Sequence, residues 1–323
     1  MLLSLLFRKG SMNKTKKNGF LLFFAKLGKD IKRNKLRYIL VLPILVYVIL
    51  FCYKPMYGIL LAFKDYRPRK GIMGSEWVGL KWVITFLKDP YFFRVLRNTV
   101  IIGVYQVVFS FPAPILFALL LNEVRVKWFK KTVQTISYMP HFISLVVICG
   151  MVSSFCQSNG VINDVIEFFG GERHNLLMKR AFFRPVYIIS GIWAEIGWGA
   201  IIYLAALAGI DQEQYEAARI DGANRVQQMI HITLPSLLPT VSTLLILKMG
   251  SILGVGYEKI LLLSNDAILE VADVISTHVY RRGLIEAQFS YSTAVGLFNN
   301  LVNVFFLVVT NKLSKKLGQS GLF

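Results

Sequence analysis

The sequence predicts an all-α polytopic membrane protein with six transmembrane helices and both termini in the cytoplasm. Three observations carry that expectation. Apolar runs of about twenty residues, the length that crosses a hydrocarbon core, recur along the chain. The composition is 55% hydrophobic and 13% aromatic, at a mean hydropathy of +0.54, which soluble domains do not carry. Lys and Arg number 37 against 18 Asp and Glu, a formal charge of +19 over 323 residues. In so apolar a chain that excess orients helices and touches anionic membrane lipid, and no nucleic-acid partner is expected.

The elements follow in order. Met1 to Phe7 is apolar, but its charges come after it, the reverse of a secretory signal. Met12-Asn13-Lys14 opens a more usual basic leader, so Met12 is a second candidate start. Phe20 to Leu27, Ile31 and Leu36 alternate with Lys26, Lys29, Lys32, Arg33, Lys35 and Arg37. This predicts an amphipathic helix on the inner membrane face, within a cytoplasmic segment 1–37. The first span covers 38–61, with Pro43 and Pro55 as kink points. Residues 62–97, broken by Pro68, Gly71, Gly74 and Gly79, form an extracytoplasmic segment. Five further spans make a core over 98–313: about 98–121, 133–155, 185–210, 238–263 and 291–313. Pro112 and Pro114 inside the second are tolerated where neighbouring helices satisfy the freed carbonyls. Residues 314–323 are a short basic tail.

Orientation follows from charge. The first 37 residues carry eleven basic side chains and one acidic, which places them in the cytoplasm. Six spans bring the C terminus back to that side. The nine basic and three acidic residues between 54 and 97 run against the rule. The first helix and the short loops weigh more.

A polar interruption at 211–237 separates spans four and five. It reads Tyr215-Glu216-Ala217-Ala218-Arg219-Ile220-Asp221-Gly222-Ala223, followed by Ile232-Thr233-Leu234-Pro235. Asp211 starts a short helix, with Gln214 as reciprocal partner in a capping box. Ala217, Ala218 and an acidic first turn favour that helix. Gly222 ends it in the left-handed conformation. A second short helix places Val226, Met229, Ile230 and Thr233 on one face, and Pro235 closes it. The product is a helix-turn-helix wedge facing the cytoplasm.

Catalytic motifs are missing. No Gly-x4-Gly-Lys-Ser/Thr occurs, since Gly28-Lys29 is followed by Asp30, so no ATPase site of its own is expected and the chain is read as a non-enzyme. His141, His174, His231 and His278 show no His-Glu-x-x-His, and Cys52, Cys149 and Cys156 no Cys-x-x-Cys. No metal site or bound cofactor is expected. Polar groups inside spans are costly in hydrocarbon and mark pathways. Lys248 is the only charge in the middle of span five, Glu195 sits with Trp193 and Trp198 in span four, and Asn299, Asn300 and Asn303 sit in span six. Aromatic rings stack on the apolar faces of sugars, while amides and charges bond hydroxyls. Trp193, Glu195, Trp198, Lys248, Asn299 and Asn303 are therefore candidate substrate-pathway residues. The plainer alternatives are snorkelling or ion pairing for Lys248, interhelical bonds for the asparagines and interfacial packing for the tryptophans. Gly250, Gly254 and Gly256 read as a small-residue packing face.

The wedge has a further property. Glu-Ala-Ala, three residues, Gly, nine residues, Ile, one residue, Leu-Pro, as it stands from Glu216 to Pro235, resembles the cytoplasmic loop of importer-type ABC permeases. Pro55-Met56-Tyr57-Gly58, Ala62-Phe63-Lys64-Asp65-Tyr66, Trp77-Val78-Gly79-Leu80, Val255-Gly256-Tyr257-Glu258-Lys259, Ala272-Asp273-Val274-Ile275-Ser276-Thr277 and Asn311-Lys312-Leu313-Ser314 resemble the subgroup linked to complex oligosaccharides. The resemblance covers nearly the whole chain. It implies a type I importer permease fold in a bacterial cytoplasmic membrane. It also implies a second homologous permease, two cytoplasmic ATPases that use ATP and Mg, an extracytoplasmic solute-binding lipoprotein and an oligosaccharide substrate. On that reading Glu216 meets a basic ATPase residue, Ala217 and Ala218 allow close approach, and Gly222 holds the turn. Asp221, Leu234 and Pro235 complete the coupling loop. Two alternatives stay open. One is import of another solute such as an amino acid, a peptide or a metal. The other is a secondary transporter without ATPases, with Glu195 as its proton-relay carboxylate.

Overall fold

The computed structural model describes residues 29, 30, 32–318, 321 and 322. Most of the predicted amphipathic leader lies outside the described residues. The chain divides into two units, the first through Ile59 and the second from Leu60.

The first unit is most of helix α1 (Lys35–Phe63). Pro43 sits inside its opening α-helical stretch. Before Pro55 the backbone widens into a π-helical stretch, Val48–Tyr53.

The second unit begins with a two-stranded antiparallel sheet. Strand β1 (Lys64–Asp65) pairs with β2 (Glu76–Trp77), Lys64 opposite Trp77. Lys64 is buried, and its Nζ donates to the carbonyls of Ile72 and Met73 at 2.9 and 3.0 Å. The Pro- and Gly-rich segment is thus a small folded cap rather than a plain loop. Helix α2 (Lys81–Leu87) follows.

The remaining larger elements are helical. They are α3 (Phe92–Glu123), α4 (Lys127–Phe142), α5 (Leu145–Phe155), α6 (Val161–Phe168), α7 (Arg180–Ala208), α8 (Gln212–Ile220), α9 (Arg225–Met249), α10 (Tyr257–Leu263), α11 (Ile275–Tyr280) and α12 (Phe289–Lys316). Five helices among the described residues are long and apolar enough to span, and six elements result when the α4–α5 pair is taken as one. The all-α, six-span architecture stands.

Two spans differ from the reading above. The third is not one helix: α4 and α5 meet at 104°. Pro140 lies in a tight turn, Met139–Phe142, and Ser144 restarts the chain as the N-cap of α5. The fifth span ends at Met249 and does not reach residue 263. Apolar residues 257–263 belong to the separate helix α10, where Ile260 and Leu263 are buried. An apolar run reports avoidance of water. It does not report whether lipid or protein provides the cover.

Proline has an unexpected effect. Three π-helical stretches, Val48–Tyr53, Gln106–Ser110 and Met229–Thr233, each end two residues before a proline: Pro55, Pro112 and Pro235. Proline offers no amide proton, and its ring crowds the carbonyl four residues back. A wider turn moves those carbonyls aside, so the helix continues. Phe111 N, for example, donates to Gln106 O at 2.8 Å. The fourth such stretch, Arg281–Ile285, has no proline behind it. Pro235 therefore does not close the wedge: α9 runs from Arg225 through it to Met249.

Helix α7 is the axis of the second unit. Ala200, Tyr203 and Leu207 pack with Ala118 and Leu119 of α3 and Leu237 of α9. Phe183, Tyr187, Ile188 and Ala194 pack with α5 and α10. The approach of α4 is very close: a Cβ on Gly197 would lie 2.2 Å from Ser137 O. The expected face of Gly250, Gly254 and Gly256 is not one face. A Cβ on Gly250 meets Leu307, one on Gly254 meets only its own turn, and Gly256 has open space around it.

Candidate functional site

The structure offers two sites on one helix: the wedge at the start of α9 and a cleft near its end.

In the wedge, Asp211 caps α8 by accepting from Glu213 N at 3.0 Å. The reciprocal capping box forms elsewhere, between Asn224 and Gln227, with bonds of 2.8 and 2.9 Å. Asn224 is the residue immediately before α9, so that helix has the stronger start. Gly222 takes φ of +80°, the left-handed turn expected of it. Ala223 N closes back on Ala218 O at 2.8 Å. Tyr215 Oη and Thr233 Oγ1, 2.9 Å apart, tie α8 to α9. The outer side of the wedge is free: Glu216, Ala217, Asp221 and Gly222 are exposed, as is Ile220 at 87%. An aliphatic side chain so bare, between two acids and a bare glycine, has the makings of a docking surface. Leu234 and Pro235 are exposed more than two turns into the continuous helix and do not belong to the turn.

The cleft measures about 670 Å³. It is walled by α3 (Gln106, Ser110, Pro114), the α4–α5 break (His141, Ile143, Leu145), α7 (Tyr187, Gly191, Glu195, Tyr203), α9 (Leu244, Lys248) and α10 (Lys259). Lys248 Nζ donates to Gln106 Oε1 at 3.1 Å. Lys259 Nζ donates to Tyr187 O at 2.8 Å and lies 4.6 Å from the centre of that ring. His141 Nδ1 and Glu195 Oε2 are 3.0 Å apart. The His141 ring stacks on Trp198, 4.3 Å between centroids and 3° between planes. The α4–α5 bend is what brings His141 to that indole.

Of the six residues predicted for the pathway, Lys248 and Glu195 line this cleft, and Trp198 backs it through His141. The other three stand elsewhere. Trp193 borders an apolar crevice with Phe155, Phe182 and Ile189. Asn299 borders a separate groove with Tyr257, Tyr280 and Asn300. Asn303 is buried, and its Oδ1 accepts from Leu253 N at 3.0 Å, holding the chain just past the end of α9. The i, i+4 spacing of Asn299 and Asn303 put them on one face, but they serve different surroundings.

Gln106, Lys259 and His141 are among the cleft residues that escaped the sequence reading. Gln106 carries the same signal as the asparagines, an amide in an apolar run. Lys259 lay near the end of the run read as span five, beside Glu258, and was passed over in favour of Lys248 in its middle. His141 belongs to no motif, and its place depends on the α4–α5 angle.

A bundle of membrane-length helices around a polar cleft, with an exposed helical wedge on the helix that walls it, defines a membrane permease. Residues 100–318 match the binding-protein-dependent transport system inner membrane component family, and the chain belongs to it. The polygalacturonan/rhamnogalacturonan transport system permease protein YteP of Bacillus subtilis (strain 168) is 48% identical over 292 residues, 90% of this chain and 91% of that protein. Protein LplB of the same organism is 46% identical over 294 residues, 91% and 92% of the two chains. The crystal structure of a bacterial ABC transporter involved in the import of the acidic polysaccharide alginate superposes with a TM-score of 0.83. It is 42% identical and covers 90% of this chain and 99% of its own. The expected ABC importer permease fold is thus the observed one. This protein is a multi-pass permease component of a transporter rather than an enzyme.

Proposed function

We propose that this chain imports an oligosaccharide by alternating access, driven by ATP that separate subunits hydrolyse. The observation that carries the reading is the cleft. Its wall mixes an imidazole backed by an indole, amide and hydroxyl groups and two ammonium groups, a combination suited to sugar rings and their hydroxyls. Three similarities support it: the names of YteP and of the alginate importer, and a second structure of that importer with an alginate pentasaccharide-bound periplasmic protein.

The assembly we propose has this chain beside a second, homologous permease in a bacterial cytoplasmic membrane. Two cytoplasmic ATPases, using ATP and Mg, lie beneath. A solute-binding protein delivers sugar from outside. The wedge sits in an ATPase cleft, with Glu216 against a basic residue there. Continuity of α9 supplies the lever. From Arg225 to Lys248 one helix covers about 35 Å at 1.5 Å per residue, so a push at the wedge displaces the wall of the cleft. Binding protein and ATPase then bias one two-state element from opposite sides.

Two measurements test this. The purified complex should contain ATPase chains and hydrolyse ATP faster with binding protein and sugar than without. Glu216→Lys should lower ATPase co-purification severalfold while membrane insertion is normal; unchanged recovery counts against the assigned contact. Orientation is tested separately. Ile220→Cys, on a Cys52→Ser background, should label with a membrane-impermeant maleimide only from the cytoplasmic side. Labelling from outside inverts the topology and removes the wedge from reach of ATP.

A further inference from the structure

We infer that the cleft is built for an oligosaccharide that carries carboxylates, with Lys248 and Lys259 distinguishing an acidic sugar from a neutral one. The inference rests on the oligosaccharide reading above and adds the charge of the substrate. Two ammonium groups reach the cleft from different elements, and both are half-buried. Each is held by a neutral acceptor: Lys248 by the Gln106 amide at 3.1 Å, Lys259 by the Tyr187 carbonyl at 2.8 Å. Among the described residues, no carboxylate lies within ion-pair distance of either. One carboxylate does face the same space, Glu195: His141 engages it at 3.0 Å, and beyond ion-pair distance its charge is also felt at Lys259. The other titratable lining groups, Tyr187 and Tyr203, are uncharged near neutrality.

The break between α4 and α5 adds to this field. Leu145, the first residue of α5, borders the cleft. The positive end of an eleven-residue helix therefore opens beside it.

A lysine that serves packing alone gains most from a carboxylate partner, because an unpaired charge away from water is costly. Neither lysine has one, and their elements are otherwise well anchored: Ile246 on α9 and Ile260 on α10 are fully buried. Gln106 and Tyr187 orient the two ammonium groups without neutralising them. An incoming carboxylate would do so through a charge-assisted bond, and a hydroxyl would give only a weaker one. Glu195, by the same reasoning, penalises an acid placed at the His141 end. The preference is therefore positional, with the acid groups of the sugar toward α9 and α10 and its ring face toward His141.

The test uses the assembled transporter, with partner permease and ATPases, in nanodiscs and without binding protein, so that no upstream selection intervenes. Tetragalacturonate and an alginate tetramer are titrated, each against its carboxyl-reduced, neutral counterpart. At least one acidic tetramer should bind about tenfold more tightly than its counterpart. Lys248→Gln and Lys259→Gln should each remove most of that preference, weakening the acidic form far more than the neutral one. Lys248→Arg should retain it. Equal binding of acidic and neutral forms, or a preference that survives both Gln variants, overturns the inference and leaves the oligosaccharide reading in place. Failure of every tetramer where an amino acid or a peptide binds overturns that reading and the inference with it.

Discussion

Gly222→Asp should abolish transport and leave the chain inserted and assembled with its partner permease. Gly222 holds φ at +80°, and a Cβ there would meet no atom within 4 Å. The fold therefore loses only the backbone cost of a side chain in the left-handed region, about 1–2 kcal/mol. Aspartate is among the residues that bear that conformation best. What changes is the outer surface. Gly222 is bare, next to exposed Asp221 and near exposed Glu216 and Ile220. A carboxylate there fills space that a close-fitting partner needs and adds a third negative charge to the patch. Uptake by cells, read beside membrane abundance, checks it. Normal uptake at normal abundance would remove the coupling role from this turn.

Gly197→Ala should cost the folded protein itself. The added Cβ would stand 2.2 Å from Ser137 O, 2.4 Å from Ser137 C and 2.9 Å from Tyr138 Cδ1. Two of those atoms are backbone, so no rotamer change relieves the contact. Helices α4 and α7 must separate, and overpacking of this kind costs roughly 1–3 kcal/mol or more. Separation also moves His141, four residues beyond Ser137, away from Trp198 and Glu195. Sharply reduced membrane abundance and a lowered Tm are the expected readouts. Gly150→Ala on α5 is the control, since a Cβ there meets nothing within 4 Å. Helix propensity then favours alanine by about 1 kcal/mol. Equal behaviour of the two variants would show that the α4–α7 contact is not so tight.

Much of the architecture was legible in the residues. Long apolar runs separated by charge specify six spans because backbone polar groups in hydrocarbon must bond internally. The wedge was legible because it combines a cap, a helix former and a glycine with left-handed freedom at fixed spacing. Asp211 and Gly222 behave as local chemistry requires, whatever lies around them. The capping box was misplaced by this same local reasoning. Gln214 and Gln227 are both suitable partners, and only the start of α9 as a long helix makes Asn224 the better cap.

The cleft was half legible. Lys248 and Glu195 stand out as charges in apolar runs, and both line it. Asn299, Asn303 and Trp193 gave signals of similar strength, and the fold places them in a groove, a clasp and an apolar crevice. A sequence shows that a polar group is inside a span. It does not show which neighbour the helix turns it toward.

The sequence by itself determined that this is a polytopic membrane protein of long apolar spans, and it determined the turn at Gly222. These follow from hydrophobicity, charge and backbone freedom, which act over a few residues. Only the tertiary structure decided that span three breaks at 104°, that span five ends at Met249 and that Pro235 leaves α9 intact. It alone decided that Gln106, His141, Lys248 and Lys259 share one cleft. Each of those depends on what packs against a segment, and the partners of Gly197, His141 and Lys259 lie about fifty or more residues away along the chain.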